Sequence, residues 1–226
     1  QKEIEMEKEN AVLPQIVDSV LGAVPVVGGA MQNVYDAWRQ KNINMAREVL
    51  LTNIRSGDLT AIHRDDFFSM LARFSRSVQE GVAKRNLILL ARLISGMGKV
   101  EEPDRKSNLF ARYANMLEHL NVDELKYLAS FICYYSTPEK ERNSFNIDRY
   151  KLQENPIADT FVQRGIFVSD FEVWQQEHDD WKNPSRFPTD IRSERSFYLS
   201  ADMQDIVDKY GVDWEKIATM DINDDQ

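Results

Sequence analysis

The residues of this chain best suited to chemistry are three histidines with carboxylates beside them and a single cysteine. His63-Arg64-Asp65-Asp66 and Glu177-His178-Asp179-Asp180 bring imidazole and carboxylate into short clusters, and His119 follows Glu118. Such groups could share a divalent ion. Consecutive residues point in different directions on a strand or a helix, however, so at most two of each cluster would converge. Asp65 and Asp66 are better used in the first turn of the helix that follows, where negative charge suits the helix dipole. Glu177–Asp180 is read as a solvated acidic turn, and nothing marks out His119. Cys133 lies in the apolar run YLASFICYY, away from any base in sequence, and is read as a structural thiol.

Motifs with a known mechanism are missing. There is no GxSxG, no P-loop and no HExxH, and Gly22 through Gly29 lack the Lys-Ser/Thr step of a phosphate loop. No catalytic residue, cofactor or metal is therefore expected. An enzyme assembled from scattered residues stays as the last of the alternatives.

The least usual stretch is AVLPQIVDSVLGAVPVVGGAMQNV at residues 11–34. From Ala11 to Met31 it runs 21 residues with Asp18 as its one charge. That is just long enough to cross a hydrocarbon core of roughly 30 Å as a helix. Pro25, Gly28 and Gly29 would break such a helix, and Asp18 would cost roughly 2–3.5 kcal/mol at mid-bilayer. Three readings follow, with Val20, Leu21, Val24, Val26 and Val27 as the residues concerned. They are burial as core helices with a tight Gly-Gly turn, docking or insertion at a membrane, and an exposed oligomerisation surface.

Composition is that of a globular protein, with 42% apolar and 29% charged residues in 226. One cysteine excludes an internal disulfide framework and suits a reducing cytosol. Residues 1–10 are acidic and polar, so no secretory leader is expected within them. The expected location is cytoplasmic, with a membrane-peripheral alternative. Charge is uneven along the chain. Residues 39–99 hold 11 Lys/Arg against 5 Asp/Glu, net +6, whereas residues 101–226 hold 15 against 26, net −11. Arg73, Arg76, Lys84, Arg85 and Arg92 form a candidate basic surface for an anionic partner, against the plainer reading of a solvated helix face. The overall charge of −9 disfavours nucleic acid, which needs clustered cations.

Periodicity supplies the elements. Residues 31–56 read as a long helix with Val34, Trp38, Met45, Val49 and Leu50 on one stripe. Residues 65–97 read as one helix, because Phe67, Leu71, Phe74, Val78 and Val82 recur at helical spacing. Its end, LILLARLI, is apolar nearly all round and should be deeply buried. Gly96-Met97-Gly98 and the following EEPD mark the expected domain boundary. Beyond it come helices at 106–120 and 123–136, a polar loop, and a short helix opened by Asn155-Pro156 and closed by Gly165.

After Gly165 the period changes. Ile166-Phe167-Val168 is β-prone, an excursion follows, and Phe197-Tyr198-Leu199 leads to Ser200 and a last helix ended by Gly211. This order resembles winged-helix domains over roughly residues 106–211. A DNA-reading member would place helix 156–164 in the major groove, presenting Asp159, Thr160, Gln163 and Arg164. One Arg beside one Asp suits a polyanion poorly. The wing region 168–195 opens with Asp170, Glu172, Glu177, Asp179 and Asp180 before Lys182, Arg186, Arg192 and Arg195. A protein-binding or architectural wing is the favoured reading.

The layout is also similar to bacterial abortive-infection proteins of the Abi-alpha kind. The residues behind that resemblance are LGAVPVVGGAM, VQEGVAKRNLILLARLISG, FVQRGIFVS and FYLSADMQDIV. It implies a bacterial accessory or phage-defence protein and transfers no functional residue. The expectation is a mainly α protein: a helical N-terminal region (1–98), a small winged-helix-like α+β module (105–211) and an acidic tail (212–226). Its function is non-enzymatic interaction or regulation, through a protein partner or homo-oligomer. The alternatives are a membrane-associated effector inserting segment 11–31 and a nucleic-acid-binding regulator using the wing module.

Overall fold

The structure, a computed structural model, describes residues 14–21, 32–54, 62–98, 106–136, 156–176 and 190–219. The fold is mainly α, with nine helices among the described residues and one two-stranded antiparallel sheet. In chain order the helices of the first half are α1 (residues 14–21), α2 (Gln32–Asn53), α3 (Arg64–Gln79) and α4 (Lys84–Met97). The second half holds α5 (Lys106–Leu117), α6 (Val122–Ser136), α7 (Pro156–Gln163), β1 (Phe167–Gln176), β2 (Asp190–Leu199), α8 (Ala201–Lys209) and α9 (Trp214–Thr219).

The long helix expected at 65–97 is two helices. Gly81 adopts φ +77° and closes α3 in a Schellman motif, with Val82 N donating to Ser77 O at 3.0 Å and Gly81 N to Val78 O at 3.2 Å. Val82 still reaches the core from the turn, which is why the apolar spacing runs through the break unchanged. The expected stripe of α2 also needs correction. Val49 and Leu50 are buried and Met45 packs against the core, but Trp38 is 44% exposed.

Helix α4 is the centre of the molecule, packed against α2, α3 and α5. Leu87, Leu90, Leu93, Ile94 and Met97 are fully buried, as its all-round apolar sequence requires. Asn86 is buried at its start and donates through Nδ2 to Leu117 O at 2.8 Å and Leu120 O at 2.9 Å. Those carbonyls lie at and just beyond the end of α5, where a helix leaves its last carbonyls without regular intrahelical donors. A few residues on, Asn121 and Glu124 form a capping box at the start of α6. Asn121 N donates to Glu124 Oε2 at 2.8 Å and Glu124 N to Asn121 Oδ1 at 2.9 Å.

Buried apolar residues from α1 to α9 form one cluster that crosses residue 98. Tyr210, just after α8, lies on α4 and its hydroxyl donates to Met97 Sδ at 3.4 Å. Ser200 caps α8 by accepting from Met203 N at 3.2 Å, as its place in the sequence suggests. The segment read as an acidic tail contains α9, which packs on α6 through Trp214 and Ile217. Asp213 Oδ1 caps it by accepting from Lys216 N at 2.9 Å.

Candidate interaction surface

The wing is a ladder of ten opposed residue pairs, from Phe167 with Leu199 to Gln176 with Asp190. Successive residues of a strand face opposite sides. Phe167 and Phe197 turn inward, with Phe167 centred 4.5 Å from Phe131 of α6 and 5.1 Å, edge-on, from Phe161 of α7. This aromatic group seats the base of the wing on two helices. A second Schellman turn, with Gly165 at φ +73° and Ile166 N donating to Phe161 O at 2.8 Å, aims the chain from α7 into β1.

The other side of the ribbon faces water. Val168 and Tyr198 are directly opposed there and are 51% and 52% exposed, while Phe171, on the inward-facing side, is 61% exposed. Soluble monomers scatter single apolar residues over their surfaces, but Val168 and Tyr198 are contiguous on one face at the base of the ribbon. Asp170 is exposed beside them.

Three arginines of this module, among the described residues, are engaged internally. Arg195 Nη1 meets Asp159 Oδ1 of α7 at 2.5 Å and its guanidinium lies 4.8 Å from the Phe197 ring. Arg164 pairs with Glu124 at 3.8 Å, and Arg112 with Asp202 at 2.5 Å. Of the four residues that a groove-reading α7 would present, Asp159 and Arg164 are thus engaged, and Thr160 Oγ1 donates back to Pro156 O at 2.9 Å. Gln163 is exposed.

The five residues of the candidate basic surface do not line one helix face, because the turn at Gly81 splits them between α3 and α4. Arg73 turns inward and donates to Glu118 Oε1 and, at 2.6 Å, to Asn115 Oδ1. Glu118 is 5% exposed and also accepts from Ser77 Oγ at 3.0 Å. Arg76 is exposed, and Lys84, Arg85 and Arg92 are half-buried. In the apolar opening segment, Val17 and Leu21 of α1 are buried and Val20 packs against the core. Asp18, the one charge there, accepts from Arg47 Nε at 2.6 Å. Val24, Val26 and Val27 lie outside the described residues.

His63 precedes α3 without capping it through its side chain. Asp66 accepts from Ser107 N at 3.3 Å, tying the start of α3 to α5. His119 Nε2 lies 3.4 Å from Glu118 Oε1. Cys133 is half-buried, and burial together with the Glu215 and Asp213 carboxylates pushes its thiol pKa up, which disfavours the reactive thiolate. The Glu177–Asp180 cluster lies outside the described residues. Among the described residues no group of three or more His, Cys, Asp or Glu is placed to hold a metal ion, and no helix is long and apolar enough to cross a membrane.

The wing's exposed pair, Val168 and Tyr198, was not singled out by the sequence. Its signal was the alternation of Phe167-Val168-Ser169-Asp170-Phe171, in which one apolar residue per pair must face out once its neighbour faces in. No family model, no curated protein and no solved structure matches this chain.

Proposed function

We propose that this is a non-enzymatic interaction or regulatory protein whose wing docks a protein partner. The observation that carries the proposal is the opposed, half-exposed pair Val168 and Tyr198, on a module in which Arg112, Arg164 and Arg195 are paired with carboxylates of the module itself. A surface meant for phosphates keeps its cations available, because affinity comes from the counterions they displace. Here apolar area is offered instead, and protein interfaces bury such residues at their centres. A role as a bacterial phage-defence accessory agrees with the resemblance to abortive-infection proteins, which rests on sequence alone.

Insertion of segment 11–31 into a membrane is the weaker reading. It would have to pull Val17 and Leu21 from the core and separate Asp18 from Arg47. The test is capture of host proteins on the wild-type chain and on Val168→Asp/Tyr198→Asp, alongside retention on mixed DNA. Loss of a captured protein in the folded variant is the expected result. Tight DNA binding with a steep salt dependence, unaffected by the wing substitutions, would overturn the proposal.

A further inference from the structure

Among the described residues each strand of the wing pairs with the other alone, so the outer edge of β1 has no partner strand there. The hydrogen-bonding phase of that edge follows from one contact at the base. Ser200 N donates to Ile166 O at 2.9 Å, which carries the ladder one step beyond Phe167–Leu199. In an antiparallel pair, opposed residues alternate between exchanging both main-chain bonds and exchanging none. Val168–Tyr198 and Asp170–Ser196 are therefore bonded pairs, whereas Ser169–Phe197 and Phe171–Arg195 are not. The amides and carbonyls of Ser169 and Phe171 thus point away from β2, along the outer edge. Ser169, Asp170 and Phe171 are all exposed, so that edge is open to solvent at the base of the wing.

An open edge is a template for another strand. The same edge of a second copy matches it best, because the two present identical rows of donors and acceptors in opposite directions. An antiparallel pair of β1 edges centred on Phe171 would let each Phe171 amide bond the other copy's Phe171 carbonyl. It would also set two rings, each 61% exposed in the single molecule, at directly opposed positions. In the protein that central donor is already taken, since Phe171 N donates to Asp170 Oδ1 at 2.8 Å. A strand arriving there must first displace the carboxylate. It would then hold the two Asp170 charges at diagonal positions of the new pair, where they repel.

We infer that Asp170 is a guard residue, which keeps the β1 edge from pairing with the β1 edge of a second copy. The inference concerns the main-chain edge of the wing and stands apart from the partner proposed for the Val168–Tyr198 face.

The test compares the full wild-type chain with Asp170→Ala. Size-exclusion chromatography with light scattering over a concentration series reads association, and amide hydrogen exchange resolved by residue reads where it occurs. The variant should self-associate at least about tenfold more tightly than the wild type, because each pair loses two guards. As its concentration rises, the Ser169 and Phe171 amides should gain protection, while those of Val168 and Asp170, already bonded to β2, should not change. In the wild type none of these amides should gain protection with concentration. Melting curves check that the variant folds, and Asp170→Val, which suits an exposed strand position, replaces it if it does not. A variant that associates no more tightly than the wild type would overturn the assignment. So would association without new protection at Ser169 and Phe171, or a wild type in which those two amides already gain protection with concentration.

Discussion

The ring of Tyr210 occupies the space that a side chain at residue 96 would need. A Cβ placed on Gly96 would fall 2.9 Å from Tyr210 Cγ and closer still to Cδ1. Gly96 lies inside α4 with helical backbone, so in isolation alanine there would strengthen the helix by about 1 kcal/mol. The contact reverses that sign. Gly96→Ala is expected to destabilise the protein by about 1–3 kcal/mol, as overpacking does. Chemical denaturation should also show that the loss largely disappears in a Tyr210→Ala background, where both substitutions can be compared in a double-mutant cycle. Equal losses in both backgrounds would mean that the Tyr210 ring is not what opposes the methyl group.

Glu118 is the acceptor on which α3 and α5 converge, through Arg73 and Ser77. Glu118→Ala leaves a guanidinium with its charged partner gone and a buried hydroxyl with only the longer contact to Arg73 O, at 3.3 Å. The expected cost is about 2–4 kcal/mol, larger than for a surface pair. Because the carboxylate is buried, the cost should change little between low and high salt. A loss that vanishes in high salt would place this pair at the surface.

Phe197 and Tyr198 are neighbours with opposite duties. Phe197→Ala should cost about 3–5 kcal/mol, since the ring is buried beside Phe167 and under Arg195. Tyr198→Ser should change stability by less than about 0.5 kcal/mol, because its side chain stands half in water. Urea midpoints of the two single variants measure this directly. Comparable losses at both positions would refute the register of the wing.

Two phenols make the fold sensitive to strong base. Burial is the main cause that lifts the Tyr113 pKa from 10.0 to about 12, with Asp205 and Asp202 adding to it. Burial raises Tyr210 as well, with Tyr113 and Asp205 contributing. In each case the folded state favours the neutral phenol. The stabilisation is therefore complete below pH 10 and is lost as pH climbs through about 12. Melting temperature should fall steadily across that window, and Tyr113→Phe should flatten the fall. A wild-type melting temperature that holds level to pH 12 would contradict this.

Much of the fold was legible because it rests on local rules. Asn155-Pro156, Gly165, Ser200 and Gly211 mark a helix start, a turn, a cap and a stop, and α7, β1 and α8 follow those marks. Apolar saturation after Asn86 correctly marked that run, now α4, as deeply buried. The break at Gly81 escaped because Val82 keeps the helical spacing while leaving the helix. Arg73 escaped for a different reason. Its charge looks like surface, and only the approach of Glu118, 45 residues away, turns it inward. The exposure of Val168 and Tyr198 depends on which strand face meets α6 and α7, a tertiary fact that alternation alone leaves two ways to satisfy. Helix α9 is short, and two inward residues, Trp214 and Ile217, give little periodicity to detect.

The seat of Tyr210 on α4 also orders events during synthesis. Helix α4 is complete by residue 97, yet one of the side chains that closes over it is more than a hundred residues downstream. A ribosome-bound chain will present the Gly96 groove to solvent until Tyr210 has emerged. A later-made part of the body thus finishes an earlier one, and a chain interrupted before Tyr210 would carry an open apolar seam for chaperones or proteases to find.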